Sequence, residues 1–134
     1  MRSYNASTGI WDLRWWQSAN MISALADFSA LDASYKPIYY STFANTYRNA
    51  PISQGAPNFL NGYYDDEGWW GLAWLNIYDL TQDNDYLNLA TVIFNDIQGG
   101  WPTPCGGGIW WNKNETYIAS IANGIPLPTI VHDK

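Results

Sequence analysis

Residues 63 to 70, Tyr63-Tyr64-Asp65-Asp66-Glu67-Gly68-Trp69-Trp70, place three acids directly before a glycine and a tryptophan pair. Two neighbouring carboxylates at a helix start can stand roughly 5 Å apart. At that spacing one can attack an anomeric carbon while the other donates a proton to the leaving oxygen of a glycoside. The two roles need unequal acidities. A helix N-terminus favours the ionised form at one aspartate, and desolvation by Tyr63, Tyr64 and the Trp pair raises the other. The plainer reading is structural: one aspartate caps the helix, and Glu67 sits in the first turn, where negative charge suits the helix dipole.

A second stretch, Cys105-Gly106-Gly107-Gly108-Ile109-Trp110-Trp111, joins three glycines to another tryptophan pair. Glycines let a backbone approach a ligand closely. The stretch lacks the lysine of a phosphate loop, and it fits a sugar-lining loop or, more simply, a tight turn with two anchoring indoles. The single histidine, His132, lies in the tail, and there is no Cys/His cluster, so no metal site and no Ser-His-Asp site are expected. Cys105 has no partner base nearby in sequence and no second cysteine to pair with. No cofactor is expected.

The chain has 134 residues, enough for one domain, with 12 acidic and 6 basic residues and a net charge of -6. No Lys/Arg cluster invites nucleic acid or an anionic membrane surface. Charged residues make up 13% and aromatics 17%, with 9 Trp and 10 Tyr, which leans towards ligands that stack on flat faces, as sugar rings do. Most of these rings must nevertheless fill the core. Asn5-Ala6-Ser7 and Asn114-Glu115-Thr116 are N-glycosylation acceptor motifs. No apolar run is long enough to cross a membrane. Residues 1 to 20 do not read as a signal peptide, so for a secreted protein the N-terminus is expected to be incomplete.

The elements that must position these groups read as helices. Residues 1 to 14 are expected as a loop and 15 to 32 as a helix. On that helix Trp16, Ala19, Asn20, Ser23, Ala24 and Asp27 share one face, suited to lining a wet cavity or to close packing through small residues. A second helix is expected over 35 to 49, with Pro37 in its first turn, and a long loop over 50 to 62. The third, from about Asp66 to Leu80, is apolar nearly all round and so buried on most sides. The fourth, 84 to 98, has one wet face, and a fifth is expected over 114 to 123, stopped by Gly124, Pro126 and Pro128. Trp pairs at 15–16 and 69–70 each open a densely apolar helix, and each of those is followed by a more amphipathic one. That alternation is what helical hairpins in a toroid would give, with their long loops gathered on one face.

These blocks resemble glycoside hydrolase family 76, the endo-α-1,6-mannanases. The resemblance rests on Trp15-Trp16-Gln17-Ser18-Ala19-Asn20, on Tyr64-Asp65-Asp66-Glu67-Gly68-Trp69-Trp70 with Leu72-Ala73-Trp74, on Tyr78-Asp79-Leu80-Thr81, and on Cys105-Gly106-Gly107-Gly108-Ile109-Trp110-Trp111, over about residues 5 to 123. It implies an all-α fold, an (α/α)6 barrel, and retaining hydrolysis of α-1,6-linked mannan in an extracellular or cell-wall setting. The family's adjacent catalytic aspartates match Asp65, as nucleophile, and Asp66, as general acid/base. Trp69, Trp110 and Trp111 are the implied cleft aromatics and Asn20 a polar cleft residue. The partner implied is an α-mannan or another mannose-containing polysaccharide, acted on by a monomer. Related fungal members suggest cell-wall transglycosylation as the alternative, and a non-catalytic mannan-binding fragment is another.

The chain departs from the family in extent. A complete barrel has twelve helices, and about five are counted in a single partial domain, 1-134. Residues 124 to 134 diverge from the pattern. The expectation is a truncated product or a misread gene model, with inner helices such as 66 to 80 facing water.

Overall fold

The computed structural model describes residues 4–12 and 14–125. Pro126, Pro128, His132 and the rest of the divergent tail lie outside the described residues. Among those described, four long helices dominate: α1 (Trp15–Leu31), α2 (Lys36–Gln54), α3 (Tyr64–Thr81) and α4 (Asn84–Gln98). A five-residue helix, α5 (Ser120–Gly124), follows a long loop. The expected loop at the start contains instead a small hairpin, in which β1 (Tyr4–Asn5) pairs antiparallel with β2 (Ile10–Trp11).

The hairpin forms because its turn fits α2. Gly9 has φ 74°, and a Cβ there would lie 2.9 Å from the Ala50 nitrogen, so only glycine allows this close approach. Asn45 Nδ2 donates to the Ala6 carbonyl at 2.8 Å, and the Ser53 hydroxyl donates to the Thr8 carbonyl at 2.7 Å. Ile10 and Trp11 are thereby buried.

α1 and α3 pack side by side, α4 packs along α3, and α2 packs beside α1. Inner and outer helices alternate as their composition predicts. α3 buries Trp70, Ala73, Trp74 and Ile77 completely. Along one stripe, however, Asp65, Trp69, Leu72 and Asn76 stay half-buried and Asp79 is exposed, so part of α3 does face water, as expected of an inner helix in a partial toroid. α1 is open as well: Trp16, Met21 and Phe28 are each more than 40% exposed. Its buried face is built from Ser18, Ala19, Ala26 and Ser29, small residues that allow close helix contact, together with Ile22. On α4 the buried face is Leu89, Ala90, Ile93 and Ile97, and Asn88, Asn95 and Gln98 are exposed.

Two helix boundaries differ from expectation. α2 runs through Pro51 to Gln54, because proline forfeits only one hydrogen bond in the last turn, and Gly55 ends the helix at φ 62°. The helix expected over 114 to 123 shrinks to Ser120–Gly124. Asn112 prevents the earlier turns: its Oδ1 accepts from the Thr116 N–H at 3.2 Å and its Nδ2 donates to the Thr116 hydroxyl at 2.8 Å. Glu115 sits at φ 56°, and the Trp111 N–H reaches the Tyr117 carbonyl at 2.8 Å, so 111 to 117 folds back on itself as a loop.

The loop ending at Tyr63 carries Phe59, whose ring lies 5.6, 4.6 and 4.9 Å from those of Trp15, Trp70 and Trp74. This aromatic plug ties the loop before α3 to the heads of both inner helices.

Candidate active site

The start of α3 is shaped by two loops that meet there. Tyr63 and Asn112 form an isolated antiparallel bridge. The Tyr64 N–H donates to the Trp111 carbonyl at 3.0 Å, and the Lys113 N–H donates to the Gly62 carbonyl at 3.0 Å. The free N–H groups of a helix start need such partners. Tyr63 is the N-cap and its side chain makes no capping bond, so neither aspartate is a cap. Asp65, Asp66 and Glu67 all stand in the first turn.

The three acids have three different environments. Asp65 is half-buried, and its Oδ1 is shut off from solvent with no hydrogen-bond partner among the described residues. A carboxylate oxygen left bare in this way costs stability and is the kind of feature found at functional sites. Asp66 is also half-buried, and its Oδ2 accepts from Asn61 Nδ2 at 2.8 Å. Burial raises its pKa, the Asn61 hydrogen bond opposes the rise, and the neighbouring Asp65 charge adds to it.

Glu67 is completely buried. Its Oε1 takes the Lys113 ammonium at 2.8 Å and the Asn61 backbone N–H at 2.8 Å. Lys113 also reaches Asp96 Oδ2 of α4 at 2.7 Å and lies 5.6 Å from the centre of the Tyr64 ring. One ammonium thus serves two carboxylates. Burial pushes Glu67 up to about 7, against the Lys113 and Asn61 hydrogen bonds that hold it down. For Lys113, burial works to lower the pKa, but the hydrogen bonds to Asp96 and Glu67 outweigh it and leave the pKa raised.

Trp69 lies one turn beyond Asp65 on the same helix face and stacks on Trp16 of α1, with centroids 6.5 Å apart. Asn20 follows Trp16 by one turn, and its Nδ2 bends back to the Trp16 carbonyl at 3.4 Å. Trp111 rests on Tyr63 at 4.9 Å and edge-on to Tyr117 at 6.2 Å. Trp111 is thus tied to the start of α3 through its backbone carbonyl and the Tyr63 ring, and Trp69 stands on α3 itself. Trp110 is set apart, half-buried against the core, with its backbone N–H on the Gly100 carbonyl. The glycine loop is held by Asn123, which accepts from the Ile109 N–H at 2.7 Å and donates to its carbonyl at 3.0 Å. Gly108, at φ 90°, leaves room for that amide, since a Cβ there would meet Asn123 Oδ1 at 2.9 Å. Asn5 and Asn114 are both exposed, and Asn5 Oδ1 accepts from the Ser7 N–H and hydroxyl at 3.0 and 2.7 Å.

Glu67, Lys113, Asp96 and Asn61 had no place in the sequence-based site. The one signal for them was Lys113 itself, a lone cation directly after an uncharged, aromatic loop.

Densely apolar helices alternating with more amphipathic ones, with paired carboxylates at the head of an apolar one, are the arrangement of part of a helical toroid. The chain belongs to glycosyl hydrolase family 76, whose family model matches residues 2–127. It is 27% identical over 136 residues to a putative mannan endo-1,6-α-mannosidase of Schizosaccharomyces pombe, covering 91% of this chain and 30% of that relative. It is 26% identical to a mannan endo-1,6-α-mannosidase of Candida albicans, covering 85% of this chain and 28% of that relative. The chain thus spans less than a third of the curated relatives it matches. The α-1,6-mannanase of Salegentibacter sp. superposes with a TM-score of 0.83 at 24% identity, over 92% of this chain and 38% of that one. An inactive variant of the same enzyme, with two consecutive aspartates changed to alanine and α-1,6-mannotetrose bound, gives 0.82 at 22% identity over the same shares. The described helices therefore form part of an (α/α)6 barrel.

Proposed function

We propose that this chain is part of a single glycoside hydrolase domain that cleaves α-1,6-linked mannan with retention of anomeric configuration. The observation that carries the proposal is Asp65-Asp66, the one place in the sequence where two aspartates are adjacent. The pair stands at the head of an inner helix with a bare oxygen on Asp65 and a raised pKa on Asp66. Two related structures carry replacements of two consecutive aspartates and are described as inactive.

In the first half of the reaction Asp65 attacks the anomeric carbon through its ionised carboxylate. The glycosidic C–O bond breaks, and Asp66 passes its proton to the departing oxygen. In the second half Asp66 takes a proton from water, the water oxygen bonds the anomeric carbon, and the Asp65 ester is released. A raised pKa suits Asp66 to hold the proton at the outset. Trp69 and Trp111, and more distantly Trp110, offer faces for sugar rings, and Asn20 a polar contact. A polysaccharide substrate and exposed acceptor asparagines, Asn5 and Asn114, fit an extracellular or cell-wall setting.

The test is incubation with α-1,6-mannan and α-1,6-mannotetraose, with products followed by NMR. Release of sugars that appear first as the α-anomer, and that Asp65→Asn and Asp66→Asn each abolish by at least a thousandfold, supports the reading. A first product in the β-anomer overturns retention. Longer oligosaccharides in place of water-derived products point to transfer between chains. Binding without release, or no binding, overturns hydrolysis by this chain.

A further inference from the structure

We propose that Asn61 is a positioning residue for Asp66: its side-chain amide, locked in place before substrate arrives, fixes Oδ2 of Asp66 and assigns proton exchange to Oδ1. The inference rests on the acid/base role proposed for Asp66.

Three hydrogen bonds of equal length converge on Asn61. Its backbone N–H donates to Glu67 Oε1 at 2.8 Å, its Oδ1 accepts the Tyr63 N–H at 2.8 Å, and its Nδ2 donates to Asp66 Oδ2 at 2.8 Å. The Tyr63 N–H can only donate, so it sets which end of the amide is oxygen and turns the NH2 towards Asp66. The backbone of Asn61 is pinned by Glu67, which is itself held by Lys113. No part of this arrangement waits for a ligand, and preorganisation of that kind is what positions a proton donor well.

The arrangement also bears on acidity. The charge acting on Asp66 is that of Asp65; Glu67, next along α3, is turned to Lys113, which also holds Asp96 of α4. Burial and Asp65 favour protonated Asp66, and the Asn61 donor favours the carboxylate. Without that donor Asp66 would hold its proton more tightly.

The experiment is a carboxyl-carbon NMR titration of the intact chain, with the Asp66 signal assigned by Asp66→Asn. Asn61→Ala removes the side-chain donor and keeps the backbone bond to Glu67. Asn61→Asp keeps the shape and the Tyr63 bond while replacing the donor with an acceptor, so it serves if the alanine variant does not fold. Expected is an upward move of the Asp66 midpoint by roughly one pH unit in Asn61→Ala, the scale of one charge-assisted hydrogen bond. A larger move is expected in Asn61→Asp, and no matching move of Glu67 in Asn61→Ala. An Asp66 midpoint unchanged in a folded variant overturns the proposal. The titration needs no turnover, so a wild-type chain inert towards mannan would defeat the functional reading and leave the positioning result intact. Where the wild type turns over, the basic limb of its pH–rate profile should move up in Asn61→Ala.

Discussion

Lys113 Nζ lies 2.8 Å from Oε1 of Glu67, a carboxylate with no exposure to solvent. The two residues are 46 positions apart (113 minus 67), one on the loop after the second glycine-rich stretch and one in the first turn of α3. Their contact clamps that loop, and Trp111 with it, over the helix start where the paired aspartates stand.

Removing the cation should be costly. Lys113→Met takes a shared donor from Glu67 and Asp96, and the loss should grow towards about 3 kcal/mol as pH rises through 7 and Glu67 ionises. Urea unfolding at neutral pH should show a lowered midpoint. Adding Glu67→Gln should recover part of the loss, because a neutral amide can still accept the Asn61 N–H. Equal stability of Lys113→Met and wild type would show that the clamp contributes nothing.

The same glutamate should make stability depend on pH. Its folded pKa of about 7 lies above the reference value of 4.5, so between these values the folded protein holds a proton that the unfolded chain releases. The contribution is complete below pH 4.5 and is lost as pH rises towards 7, by roughly 3 kcal/mol in total. Unfolding free energies measured across that window should fall with rising pH in the wild type. The Glu67→Gln variant should show a flatter profile.

The aromatic walls should matter for binding and less for folding. Trp111 is only half-buried and packs on Tyr63 and Tyr117 rather than in the core. Trp111→Ala should weaken binding of α-1,6-mannotetraose by roughly tenfold, about 1.4 kcal/mol, in calorimetry or fluorescence titration. Trp69→Ala should act similarly, since its partner ring on Trp16 is itself exposed. Undiminished affinity in both variants would remove the platform role.

Much of the frame was legible because it is written in local pattern. α4 falls on residues 84 to 98 as its spacing of Leu, Ala, Ile and Phe implies. α3 is buried on most sides because almost no polar side chain interrupts it. The early hairpin was not legible, since it depends on Gly9 fitting against Ala50 and not on any strand pattern in residues 1 to 14. The long fifth helix failed for a similar reason: side-chain hydrogen bonds from Asn112 to Thr116 compete with helical ones and win.

What the sequence determined by itself was a helical alternation and one adjacent pair of aspartates beside tryptophans, because periodicity and neighbourhood are properties of the chain. Only the tertiary structure decided that Glu67 is sealed on Lys113 and that Asn61 reaches Asp66. It also decided that Trp16, Met21 and Phe28 of α1 stay open to solvent. Those outcomes depend on which distant segments exclude water from a given carboxylate, and burial is a property of packing, not of residue order.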